Sequence, residues 1–223
     1  MSQKWDKLIV ALDLDDKAKI KEVVKVLSPK GVKFKIGSIA FTKFGPDFVK
    51  EFIEEGKDIF LDLKLYDIPN TMKKTAAIIA EMGCWAFTVH LQAGEQALKG
   101  VKNEVIETAN KLGKRRPLIL GVSVLTSSLA TQDEVNELVS LADSVGLDGV
   151  IASPRDAKGI KAGFNKLKVI TPGIRNPGSD AGDQLRITPA SIAFANGADY
   201  IVVGRPIISQ DRYLEAAERI LKG

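Results

Sequence analysis

Hydrophobic positions in this chain fall into short runs, separated by longer stretches where they recur every three or four residues. The runs at 8–12, 32–36, 59–63, 86–90, 118–122, 149–152, 168–171 and 200–203 are rich in Val, Ile, Leu and Phe. They are almost uninterrupted, the pattern of strands buried on both faces. Between them, 15–27, 46–55, 71–82, 94–112, 131–145, 154–162, 189–196 and 212–221 read as amphipathic helices; in the first, Ile20, Val23, Val24 and Leu27 form one apolar face. Pro46, Pro154 and Pro189 fall near helix starts, and Gly56, Gly83, Gly113, Gly146 and Gly197 near helix ends. Eight strands alternating with eight helices predict an α/β fold with a parallel sheet and right-handed crossovers. At this length the leading architecture is the closed (β/α)8 TIM barrel. The alternative, an open doubly wound sheet, places a glycine-rich loop after its first strand, where this chain has Leu12-Asp13-Leu14-Asp15. No linker or low-complexity segment interrupts 1–223, so a single domain is expected.

Composition narrows the partners. The chain has 223 residues, 45% of them hydrophobic, enough for one sizeable core. The 32 basic and 28 acidic residues leave a net charge of +4, and along 17–25 the lysines alternate with apolar and acidic positions. That is a solvated face rather than a nucleic-acid stripe, although a mild positive field favours anionic substrates. The single cysteine, Cys84, rules out an intrachain disulfide and fits a reducing compartment. With one histidine, His90, there is little material for a soft-metal site. Residues 1–7 are polar and charged, unlike a signal peptide, and no apolar run approaches the length of a membrane span. A soluble, cytoplasmic protein without membrane or nucleic-acid partners is expected.

In a barrel the chemistry sits at the C-terminal ends of the strands. Those ends carry Asp13, Lys35, Asp62 with Lys64, His90, Thr126 just beyond the fifth strand, Ser153, Thr171 with Gly173, and Gly204 with Arg205. The third strand is the densest, because Asp62 and Lys64 share a face by simple alternation and Asp67 follows just past the strand end. Lys35, Asp62, Lys64 and Asp67 read either as a salt-bridge network closing the barrel mouth or as a lysine proton donor held between carboxylates. Val203-Gly204-Arg205-Pro206 and Thr171-Pro172-Gly173-Ile174-Arg175 fall in the loops that commonly bind phosphate in barrels, and 176–186 is polar enough for a lid. Other positions admit two readings each. Asp13 is a helix N-cap or a ligand group, and His90 is structural or a general base. Thr126, Ser127 and Ser128 cap a helix or bond a base edge.

The stretch Asp62-Leu63-Lys64-Leu65-Tyr66-Asp67-Ile68-Pro69-Asn70-Thr71 resembles the motif of the orotidine 5′-monophosphate decarboxylases, in their bacterial form. The resemblance runs along nearly the whole chain. It includes Ala11-Leu12-Asp13, Phe34-Lys35-Ile36-Gly37, Phe44-Gly45-Pro46, Leu125-Thr126-Ser127, Gly146-Leu147-Asp148-Gly149-Val150, Gly182-Asp183-Gln184 and the two phosphate-loop motifs. It implies a (β/α)8 barrel, usually a homodimer, that converts orotidine 5′-monophosphate to UMP and CO2 without metal or organic cofactor. By the same resemblance Lys64 protonates C6, Asp62 and Asp67 surround the leaving carboxylate, and Asp67, Ile68 and Thr71 reach the neighbouring subunit's site. Asp13 and Lys35 would bind ribose hydroxyls, Thr126 or Ser127 the pyrimidine edge, and Arg175, Gln184, Gly204 and Arg205 the phosphate. The chain departs from the family's habit at Thr88, where Asn is more usual. The competing reading is a metal-dependent phosphosugar decarboxylase or lyase on the same barrel. A Glu shortly before the motif Asp would favour it, and Phe60 stands there instead.

Overall fold

The structure is a computed structural model describing residues 4–123, 131–176 and 188–223. Among these residues, parallel strands follow one another around a closed barrel in chain order: β1 (Leu8–Ala11), β2 (Lys33–Gly37), β3 (Ile59–Leu65), β4 (Ala86–His90), β5 (Leu118–Val122), β6 (Gly149–Ile151), β7 (Lys168–Thr171) and β8 (Tyr200–Val203). The ring closes through β1 and β8, with Leu8 opposite Ile201 and Val10 opposite Val203, which excludes the open sheet. Around it lie α1 (Lys17–Leu27), α2 (Ser38–Glu54), α3 (Pro69–Met82), α4 (Gly94–Leu112), α5 (Gln132–Val145), α6 (Ala157–Gly163), α7 (Ala190–Ala195), α8 (Arg205–Ile208) and α9 (Tyr213–Lys222).

Two of the helices begin at side-chain caps that satisfy free N–H groups. Asp16 caps α1 by accepting from Ala18 N and Lys19 N, at 2.9 and 3.1 Å. Thr131 and Glu134 form a reciprocal capping box on α5. Two elements depart from the sequence pattern. The periodicity places a helix start at Pro46, but α2 already begins at Ser38; Gly45 (φ +73°, ψ −176°) breaks it just before Pro46, so the predicted helix is the second half of a kinked pair. After β8, one short helical turn, α8, stands where only a loop was predicted.

Alternation along the strands divides the core in two. Outward residues such as Phe34, Ile36, Leu61 and Phe87 pack against the helices, while Ile9, Phe60, Leu120, Ile170 and Val202 fill the barrel. Phe34, Phe52, Phe60 and Phe87 are fully buried, each contributing about 1.5–3 kcal/mol from burial. The base of the barrel is closed by Lys33, whose ammonium donates to Asp6 O at 2.9 Å and lies over the rings of Trp85 and Tyr200. Two carboxylates tie neighbouring strands there. Asp148 receives Ile119 N and both terminal nitrogens of Arg116, and Asp199 receives Val169 N and Lys161. The Asp148 motif is thus a structural clamp far from the mouth.

Candidate active site

At the C-terminal ends of the strands a cavity of about 520 Å³ opens, within the usual range for small-ligand sites. Phe60 lines it from within the barrel, with Val122, Ile151 and Val202 as further apolar wall. Four cations, Lys35, Lys64, Arg175 and Arg205, line it against two carboxylates, Asp13 and Asp62.

Four of these groups form a row of alternating charge. Lys35 Nζ lies 2.9 Å from Asp13 Oδ1 and 3.4 Å from Asp62 Oδ2, and Lys64 Nζ lies 3.0 and 3.1 Å from the two Asp62 oxygens. Gly37 makes room for the first pair. A Cβ there would fall 2.8 Å from Asp13 Oδ1 and 3.1 Å from Lys35 Nζ. Asp62 is deeply placed, with its side chain 13% exposed. Burial alone would raise its pKa, but Lys35, Lys64 and the hydrogen bonds from Lys64 and Thr88 outweigh burial and hold it below the ordinary carboxylate value. Asp62 is therefore ionised at neutral pH, a fixed negative charge beside the Lys64 ammonium.

Lys64 reaches this position through a distorted strand rather than the plain alternation expected. Leu61 pairs with Phe87 and Leu65 with Val89, so residues 61 to 65 of β3 lie opposite only 87 to 89 of β4. Lys64 sits in the resulting bulge with φ +50°, the one non-glycine positive φ among the described residues. Such a conformation costs on the order of 1–3 kcal/mol and persists only where its surroundings enforce it. Its N–H donates to Thr88 Oγ1 at 2.8 Å, and Thr88 in turn donates to Asp62 Oδ1 at 3.0 Å.

The other expected site residues divide into three groups. Gly204, Arg205 and Arg175 line the same cavity; Gly204 could carry a Cβ in ordinary contact with Ala11, so the chain's own packing does not demand a glycine there. Asp67, Ile68 and Thr71 are exposed and do not line this cavity; Asp67 Oδ1 receives only the Ile68 N–H in the described structure, at 2.6 Å. In the chain's own mouth the fourth charge of the row is Asp13, whereas Asp67 is expected at the neighbouring subunit's site. Asp13 is free for that role because Asp16, three residues on, caps α1. Thr126 and Gln184, with most of the expected lid, lie outside the described residues. His90 stacks on the exposed Tyr66 with ring centroids 5.2 Å apart, and its buried Nδ1 has no hydrogen-bond partner among the described residues. Burial, and then Lys64, lower its pKa, so it is neutral at pH 7. Thr88 and Gly37 were not singled out as site residues from the sequence. The inward alternation Ala86, Thr88, His90 and Lys33, Lys35, Gly37 was the signal that could have found them.

Residues 6–220 match the family model described as Orotidine 5′-phosphate decarboxylase / HUMPS family. The chain belongs to this family. It is 44% identical over 216 residues to the orotidine 5′-phosphate decarboxylase of Aliivibrio salmonicida, covering 92% of this chain and 91% of the relative. Identity to the enzyme of that name from Pseudoalteromonas translucida is 42% over 221 residues, covering 94% and 93%. Among solved structures, the orotidine 5′-phosphate decarboxylase from Lactobacillus acidophilus superposes with a TM-score of 0.80 at 33% identity, covering 96% of this chain and 97% of that one. Family membership thus joins a fold in which the mouth of the barrel, not its base, gathers the alternating charges.

Proposed function

We propose that the chain, acting as a single catalytic domain over 1–223, decarboxylates orotidine 5′-monophosphate to UMP and CO2 in pyrimidine nucleotide synthesis. The observation that carries this reading is the Asp13–Lys35–Asp62–Lys64 row at the cavity mouth. Breaking the C6–carboxylate bond releases CO2 and leaves the electron pair in an in-plane orbital at C6, where the pyrimidine ring delocalises it poorly. The Lys64 ammonium stabilises that charge as it develops and then gives its proton to C6. Asp62 keeps Lys64 charged and directed, and Lys35 holds Asp62 while Asp13 and Lys35 bind the ribose hydroxyls. The cavity's excess of cations suits a substrate carrying both a phosphate and a carboxylate. Arg205 and Arg175, with Gly204, take the phosphate, joined by Gln184; Thr126 meets the pyrimidine edge. Phosphate binding far from C6 positions the reacting carbon.

No metal or organic cofactor enters this chemistry. The competing metal-dependent phosphosugar reading needs a cation between carboxylates, and Lys35 Nζ already occupies the space between Asp13 and Asp62. The working unit is a homodimer in which Asp67, Ile68 and Thr71 serve the neighbouring site. Their exposure beside the outward-facing Tyr66 supports it, with Tyr66 62% and Ile68 67% exposed. Cys84, the chain's single cysteine, is a free buried thiol, in keeping with the cytoplasmic location proposed. The deciding experiment is an ultraviolet assay for loss of orotidine 5′-monophosphate by pure protein in the presence of EDTA. Steady turnover is expected, and its absence overturns the reading.

A further inference from the structure

The Thr88 hydroxyl sits where β3 and β4 part company. It is fully buried, and it meets two groups whose chemistry fixes its orientation. A backbone N–H can only donate and an ionised carboxylate can only accept, so the hydroxyl accepts from Lys64 N and gives its own proton to Asp62 Oδ1. The bulge explains why a side chain is needed. With residues 61 to 65 facing only 87 to 89, the Lys64 N–H sits within the interrupted ladder, and Thr88 Oγ1 supplies its acceptor. One hydroxyl thereby touches both the backbone that aims Lys64 and the carboxylate that holds the Lys64 ammonium.

We propose that Thr88 is a positioning residue of the site, its hydroxyl locking the bulged Lys64 backbone and the Asp62 carboxylate into one geometry. This rests on the decarboxylase reading for the roles of Lys64 and Asp62. Without the hydroxyl, the Lys64 N–H loses its acceptor and Asp62 loses a donor at the oxygen that also faces Lys64. Both effects displace the ammonium relative to C6, and small displacements of a reacting group lower the rate steeply. Ground-state binding through the phosphate end of the cavity is left alone.

The test compares Thr88→Val, which removes the hydroxyl at nearly constant shape, with Thr88→Ser, which keeps it. In the orotidine 5′-monophosphate assay Thr88→Val should lose about 10- to 100-fold in kcat, with KM and the Kd of UMP within about 3-fold of the unaltered protein. Thr88→Ser should recover most of that loss. A Thr88→Val kcat within about 2-fold of normal overturns the inference alone, as does a serine variant as slow as the valine one. No turnover in the unaltered protein overturns the decarboxylase reading and this inference with it. If Thr88→Val does not fold, Thr88→Cys, a weak donor and acceptor of similar shape, takes its place and is judged by the same outcomes.

Discussion

Lys33 and Lys35 lie two residues apart on the inward face of β2, and each is 8% exposed. At the base, Lys33 gives a hydrogen bond to a backbone carbonyl, spreads its charge over Trp85 and Tyr200, and has Asp58 at 3.7 Å. At the mouth, Lys35 lies between two carboxylates, one of which also holds the half-exposed Lys64 beside open space. Burial of a charge is therefore no guide to function by itself. The base lysine meets fixed and mostly uncharged partners that leave no site for another molecule. The mouth lysine belongs to a row of ions whose last member faces a cavity, where an incoming charge meets a preorganised field.

The comparison is tested hardest at the end of that row. Lys64→Ala should lower kcat by at least about 10⁴-fold while UMP still binds, because the variant lacks both the proton donor and the charge facing C6. Near-normal turnover would remove Lys64 from the chemistry. In the proposed homodimer, mixing Lys64→Ala subunits with Asp67→Asn subunits, each inactive alone, should restore about a quarter of normal activity, since half the dimers would carry one intact site of two. No recovery on mixing rejects the shared site. One step along the row, Lys35→Met should lower kcat/KM about 10²- to 10³-fold by leaving Asp62 and Asp13 without their common cation.

Much of this contrast is legible in the sequence. The strand runs and the polar residues at their C-terminal ends locate the mouth, because alternation and barrel topology together decide which residues face it. Three features were not legible. The bulge at Lys64 depends on how β3 pairs with β4, and nothing in 59–65 announces that it spans more residues than its neighbour. Asp13 and Asp16 are equally good caps on paper, and only the path of the chain into α1 decides between them. The segment Ser38–Phe44 is followed by Gly45-Pro46, which reads as the start of a helix, although the structure has a helix on either side of the kink. Each is a tertiary choice between local options of similar energy.

Further from C6 the effects should shrink. Arg205→Ala should weaken UMP binding about 10- to 100-fold and leave uridine binding unchanged, the behaviour of a lost charge-assisted contact to phosphate. Equal loss for both ligands would place Arg205 elsewhere. At the other end of the barrel, Lys33→Met should keep kcat/KM within about 2-fold and cost about 1–2 kcal/mol of stability, or roughly 2–8 °C in Tm. If Lys33→Met instead lost turnover like Lys35→Met, the division between base and mouth would fail.

The smallest effect concerns His90, the chain's one histidine, at the end of β4. Burial and the neighbouring Lys64 lower its folded pKa below the ordinary 6.5, so the unfolded chain takes up this proton more readily than the folded one. The sign follows: the neutral imidazole costs nothing above pH 6.5, and stability declines as the pH falls from there through the folded-state value. No other imidazole contributes, and the ordinary carboxylate range lies lower. Melting temperatures measured from pH 7.5 to 5.5 should therefore fall by no more than a few degrees, since the ring is partly exposed. His90→Phe keeps a ring against Tyr66 but cannot titrate, and its melting temperature should be flatter over the same interval. An unchanged slope in that variant would show that the imidazole beside Lys64 is not the source of the acid sensitivity.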